Sequence, residues 1–311
     1  MNKIIIICLY VLFLCFPVFA DKIKDDSGNE INVDKPFKRI ISLYGAHTEN
    51  LFSLGLDKEI IGVSKNESYP PKALEKPVFS YHDDAEKFMA ARPDLVLVRP
   101  MIARVYQPFI KKLEQAGIIV VSLQPVGIED MYNYWQNLGI LTGREQAAAF
   151  MIKEFGDAVE DFKKQAGQIP YEKRKKVYFE AIHQKMKTFA AHSTAMFVLL
   201  TAGGINIAEH ASQMRQTNIA AFGKERILAK AGEIDVFIAQ QGTMNPVSVE
   251  IIKNEPGFHV IKAVYNNQVY MVDELIVSRP TMRLLEGIQK IAEILYPEIM
   301  QDKLSKRLPP K

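Results

Sequence analysis

Short, continuously apolar runs alternate along this chain with longer stretches in which apolar residues recur every three to four positions. Runs at 39–43, 60–63, 95–98, 118–122, 177–181, 236–239 and 269–272 have the length and residue types of buried strands. The stretches from Thr48 to Leu54, from Ile128 through Met131, Tyr134 and Trp135, from Ala195 to Leu200 and from Met282 to Leu295 have helical spacing. One pattern occurs twice. An acid-led helical segment from Glu86 meets Arg92-Pro93-Asp94 and the run Leu95-Val96-Leu97-Val98, and a second from Glu225 ends at Asp235 and Val236-Phe237-Ile238-Ala239. A helix feeding a wholly apolar strand is the unit of a parallel sheet covered on both faces. Two copies predict an α/β protein of two Rossmann-like lobes with a ligand cleft between them.

Residues 23–33 carry Ser27-Gly28-Asn29 between short strand-like stretches and predict a small hairpin. Glu145 to Gln165 contains no Pro and a single Gly, and so predicts one long helix joining the halves. The expected division is an N-terminal lobe at 21–143, a linking helix at 144–170 and a C-terminal lobe at 171–311. Pro280 is expected in the first turn of the last helix, where its missing N–H costs nothing.

The first twenty residues stand apart. Lys3, the apolar block Ile4 to Phe16 and the small residue Ala20 form a secretory signal peptide with cleavage after Ala20, since the block is shorter than the roughly 20 residues that span a bilayer. Both cysteines, Cys8 and Cys15, fall inside it. A lipoprotein reading would acylate Cys15, but Phe13 and Leu14 are larger than such sites favour. A soluble periplasmic protein without disulfides, thiol catalysis or cysteine metal sites is expected. The net charge of +3 implies no bulk attraction to nucleic acid or membrane, so any charge selectivity is local.

Ligands approach open α/β sheets at the carboxyl ends of their strands. By that rule Tyr44, His47, Tyr81, His82, Arg99 and Tyr106 are candidate ligand-binding residues of the first lobe, and His183, Lys187 and Phe189 of the second. Arg215, Gln240, Gln241 and Arg279 add polar groups at other expected loops. Gly-x-Ser-x-Gly, phosphate-cradling Gly-rich loops and His-Glu-x-x-His are all missing from the sequence, which argues against an enzyme. No close His-x-x-x-His pair marks a helical metal site, and no resident cofactor is expected.

In series, Lys38 to Leu43 behind a hairpin, Thr48-Glu49, Leu54-Gly55-Leu56, Ile61-Gly62-Val63, Tyr69-Pro70-Pro71, Glu86 through Val96, Leu138-Gly139 with Thr142 to Glu145, and Gly203-Gly204 with Asn206 resemble one family. It is that of the periplasmic solute-binding proteins that deliver ferric siderophores or cobalamin to ABC importers, and the likeness runs from about Ile23 to Tyr296. The resemblance implies two α/β lobes on one long helix and an inner-membrane permease dimer with its ATPase as partners. It also implies one permease-docking glutamate per lobe, here Glu86 and Glu225. The chain is expected to act as a monomer. Arg99, Arg215 and Arg279 would suit an anionic chelate, so a ferric siderophore is the expected ligand, with cobalamin and then haem as alternatives. In that reading Arg99 and Arg279 clamp the chelate from opposite sides, while Arg283 faces solvent or pairs with Glu286.

Overall fold

A computed structural model describes residues 21–214 and 217–298. The expected signal peptide, both cysteines and Arg215 lie outside the described residues. Strands β1 (Asp21–Lys24) and β2 (Glu30–Val33) pair as an antiparallel hairpin. Its turn is closed by the buried Asp25, whose Oδ1 accepts from the backbone N–H groups of Ser27 and Asn29 at 3.0 and 2.8 Å.

The first lobe follows with β3 (Ile40–Ser42), α1 (Gly45–Ser53), β4 (Ile60–Ser64), β5 (Val78–Phe79), α2 (Ala85–Ala91), β6 (Leu95–Val98), α3 (Pro100–Val105), α4 (Gln107–Gln115) and β7 (Ile119–Ser122). Its five strands are all parallel, in the order β5-β4-β3-β6-β7. Helices α5 (Ile128–Thr142) and α6 (Glu145–Gly167) lead to the second lobe. There β8 (Lys176–Ile182), β9 (Lys187–Phe189), α7 (Thr194–Thr201), β10 (Ile205–Asn206), β11 (Ser212–Gln213), β12 (Ile219–Ala221), α8 (Lys224–Ala229), β13 (Val236–Gln241), α9 (Val249–Lys253), α10 (Lys262–Tyr265), β14 (Val269–Asp273), α11 (Glu274–Val277) and α12 (Leu284–Leu295) build a mixed sheet. The order is β11-β12-β9-β8-β13-β14, with β10 beside the start of β8.

The repeated sequence pattern has a structural cause. β6 and β13 are interior strands of their sheets, buried on both faces, which is why both are wholly apolar until the last residues of β13. The aspartate before each strand also does the same work. Asp94 accepts the backbone N–H groups of Lys38 and Arg39, both at 2.8 Å, and Asp235 accepts that of Lys176 at 2.9 Å. Each acid thereby fixes the register of the strand that opens its lobe.

Two expectations are corrected. The first helix starts at Gly45 rather than Thr48. The last helix starts at Leu284, well past Pro280. The Pro280 carbonyl is instead taken by Asn50 Nδ2 at 2.9 Å and Trp135 Nε1 at 3.3 Å, both from first-lobe helices, which ties the segment before α12 across to α1 and α5.

One apolar core runs through both lobes. Trp135 of α5 packs edge-on to Phe155 of α6, centroids 5.3 Å apart, and Phe155 stacks on Phe197 of α7 at 6.2 Å. Trp135 and Phe155 are fully buried. Among the described residues no helix is long and apolar enough to cross a membrane.

Candidate functional site

The carboxyl ends of both sheets open onto one cleft of about 1620 Å³. From the first lobe it is lined by Tyr44 and Gly45 after β3, Asn66 after β4, Tyr81 after β5, Arg99 after β6 and Gln124 after β7; from the second come Phe189, Gln240, Glu274 and Arg279. Tyr44, Tyr81, Arg99, Phe189 and Arg279 are thus brought together as the sequence indicated. Arg99 lays its guanidinium over the Tyr44 ring at 4.8 Å, and its buried Nε has no hydrogen-bond partner among the described residues. His82 and Tyr106 sit outside the lining but pack at a tilt against Tyr81, with centroids at 4.4 and 4.7 Å, and brace it.

Other candidates are placed elsewhere. His47 is fully buried beneath Tyr44 in α1. The Val98 carbonyl only accepts, so His47 Nε2 must donate to it at 3.1 Å, which leaves Nδ1 to accept from the Tyr134 hydroxyl at 2.7 Å. Burial pushes the His47 pKa down to about 3, so the ring stays neutral and positions two tyrosines of the cleft instead of meeting ligand. His183 is also withdrawn: its Nδ1 meets the two oxygens of the buried Glu180 at 3.0 and 3.1 Å, and Glu255 stands 3.6 Å from Nε2. Lys187 lies outside the lining. Gln241 points to the far face of β13 and donates to the Val247 carbonyl, because the pleat puts alternate residues on opposite faces. Its neighbour Gln240 is the cleft residue. It is held at both ends, donating to the Ala181 carbonyl at 2.9 Å and accepting from Ser278 Oγ at 2.8 Å.

Arg279 reaches the cleft, but it is not available as an isolated charge. Its Nη1 lies 2.8 Å from Oε1 of Glu49, which is 2 % exposed. Arg283 Nη1 stands 3.9 Å from Glu49 Oε2, its guanidinium covers the Tyr69 ring at 4.6 Å, and Glu286 lies 3.4 Å from its Nε. Pairing with Glu286 was expected of Arg283; membership of the same buried cluster as Arg279 was not. Burial pushes the carboxyls of Glu49 and Glu67 up, with Arg279 pulling both the other way. Glu49, the acid at the centre of this cluster, is absent from the candidates drawn from the sequence. The only signal was its place one turn into the helix after the first strand.

Two acids in the lining, Asp273 and Glu274, are held by backbone donors. The Glu274 carboxylate accepts from the N–H groups of Thr243 and Met244, and Asp273 from that of Leu275. Glu86 and Glu225 lie outside the cleft, exposed in the first turns of α2 and α8, and neither enters an ion pair among the described residues. No cluster of three or more metal-ligating side chains occurs among the described residues.

Comparison with known proteins places this architecture. The chain matches the family described as periplasmic binding protein over residues 40–275. It is 28% identical over 288 residues to the uncharacterized ABC transporter substrate-binding lipoprotein YvrC of Bacillus subtilis, covering 92% of this chain and 88% of that one. Identity to the Vitamin B12-binding protein of Vibrio parahaemolyticus is 27% over 299 residues, or 94% of this chain and 96% of the other. A crystal structure from Staphylococcus epidermidis, described as a possible iron-binding (periplasmic solute-binding) protein, superimposes with a TM-score of 0.72 at 27% identity, covering 84% of this chain and 100% of that one. Two α/β lobes, a cleft at facing strand ends and a match along most of the sequence agree: the chain belongs to the periplasmic binding protein family, whose members are solute-binding proteins of ABC importers, not enzymes, and work with a permease and an ATPase.

Proposed function

We propose that this chain is the exported solute-binding component of an ABC importer and that its ligand is a corrinoid. The observation that carries the ligand class is the pairing of Arg279 with Glu49 at 2.8 Å, which leaves the cleft without the two-arginine clamp an anionic chelate would use. What remains is wide, and its cations Lys24, Lys65, Arg99 and Arg104 stand beside as many acids, Asp26, Asp130, Asp273 and Glu274. At about 1620 Å³ it exceeds the roughly 300–1,000 Å³ of sites for drug-sized molecules. Its walls offer amides from Asn66, Gln124, Asn133, Asn137 and Asn218, with apolar surface from Leu43, Phe79, Phe189 and Met244. A corrin macrocycle fringed with carboxamides matches that combination of apolar faces and neutral hydrogen-bonding groups. The similarity to Vitamin B12-binding proteins supports the same reading. A ferric siderophore is the second reading, favoured by the unpartnered guanidinium nitrogen of Arg99.

Export rests on the Lys3, Ile4 to Phe16 and Ala20 pattern, with the mature protein starting at Asp21 in the periplasm. Glu86 and Glu225, one exposed acid on each lobe, are the proposed contacts with the permease.

Ligand-induced stabilisation tests the assignment. Cyanocobalamin at 100 times its dissociation constant should add about 2.7 kcal/mol to the mature protein, read as a raised melting temperature. A rise with a ferric hydroxamate or catecholate and none with cyanocobalamin would replace the corrinoid with the siderophore.

A further inference from the structure

Arg279 enters the floor of the cleft from the second lobe, where an unpaired guanidinium would bind an anionic ligand. It does not arrive unpaired. Its guanidinium lies against Gly45, the first residue of α1, so closely that a Cβ at Gly45 would overlap it. A cation at the amino end of a helix faces the positive end of the helix dipole. Glu49, one turn along the same helix, supplies the opposing charge through the 2.8 Å contact, and Arg279 Nη2 completes the arrangement on the Asn66 carbonyl at 3.4 Å. Arg283 approaches the other carboxylate oxygen, and that oxygen has no hydrogen bond of its own among the described residues. With Glu49 only 2 % exposed, the carboxylate cannot exchange Arg279 for water, whereas Arg279, 14 % exposed, still borders the cleft.

We propose that Glu49 is a specificity-determining residue, holding Arg279 in a closed ion cluster, with Arg283 behind it, so that Arg279 does not offer its charge to the ligand, and thereby selecting a large neutral chelate over an anionic one. This rests on the reading of the cleft as the ligand site of a solute-binding protein. Gly45 serves the same end, since only a residue without a side chain lets the guanidinium reach Glu49.

Three proteins test it: the mature wild type, Glu49→Gln, and the double variant Glu49→Gln with Arg279→Gln. Each is titrated calorimetrically with cyanocobalamin, which is neutral, and with a strongly anionic ferric tris-catecholate. Releasing the guanidinium in Glu49→Gln should tighten binding of the catecholate by about ten- to a hundredfold, and added salt should erode the gain. The double variant should fall back to the wild-type value, so that the ratio of catecholate to cyanocobalamin affinity is raised in Glu49→Gln alone. An unchanged catecholate affinity in Glu49→Gln overturns the proposal. If Glu49→Gln does not fold, the double variant, which removes both charges of the pair, carries the test: binding the catecholate as wild type does supports a withheld Arg279, and weaker binding shows that Arg279 serves the ligand. A wild type that ignores cyanocobalamin, beside a Glu49→Gln that gains the catecholate, removes the corrinoid reading and leaves the role of Glu49 standing.

Discussion

His183 shows how far a single residue can be read without its surroundings. It follows a strand, as cleft residues do, yet it faces Glu180, Glu255 and Lys224 beside Phe258 on the far face of the second sheet. Strand parity decides this, because Glu180 lies two residues beyond Tyr178 of the core and so shares its face. The same one-residue parity separates Gln240 from Gln241. The Glu180 carboxylate holds the His183 imidazolium, raising its pKa above the ordinary value of about 6.5. A group whose folded pKa is raised contributes stability that is complete below the unfolded value and is lost as pH rises through the folded one. The melting temperature should therefore fall as pH is raised from about 6 into the alkaline range. His183→Leu combined with Glu180→Gln should flatten that slope in urea titrations across this range, because His183→Leu alone would leave a buried Glu180 whose own raised pKa also makes stability fall with pH. Equal slopes in the two proteins would mean that the pair of His183 and Glu180 is not what titrates.

Elements were legible where burial wrote them into the sequence. Strands of four or more residues buried on both faces, such as β6 and β13, announce themselves as apolar runs, and so does the unbroken α6. The two- and three-residue strands β5, β10, β11 and β12 do not, since so few residues carry no period. The start of α1 was misplaced because Gly45 opens it without any capping side chain, whereas Thr48 looks like a cap and instead donates to Ser42 Oγ. The pattern that did read clearly also carries the docking hypothesis, since α2 and α8 present Glu86 and Glu225 from equivalent places in the two lobes. Reversing both charges, Glu86→Arg with Glu225→Arg, should put like charges against a basic permease surface at a cost of several kcal/mol. Uptake of labelled ligand should drop while calorimetric affinity for the ligand holds. Normal uptake would leave both residues as acids that complement helix dipoles.

At the scale of the molecule, what the sequence could not show is how the lobes hold each other. A long helix was expected, but the contacts across the lobes are made by residues about 145 to 230 positions apart, which no local pattern encodes. Asn50 and Trp135 share the Pro280 carbonyl, Glu49 binds Arg279, and the Trp135-Phe155-Phe197 stack continues the core from one lobe to the other. Wide hinge closure would have to break these together, so the cleft should take its ligand nearly preformed. Because both cysteines lie in the expected signal peptide, spin labels can be introduced into the mature chain without competing thiols. With Lys112→Cys on α4 and Glu250→Cys on α9, both exposed, the interlobe distance measured by pulsed electron resonance should move by no more than about 1 Å on ligand binding. Trp135→Ala, which removes both the indole donor and the centre of the shared core, should cost about 3–5 kcal/mol and broaden that distance distribution. A shift of several ångström in the wild type would instead show that the clasp opens and recloses around the ligand, and that the Pro280 and Glu49 contacts belong to one of two states.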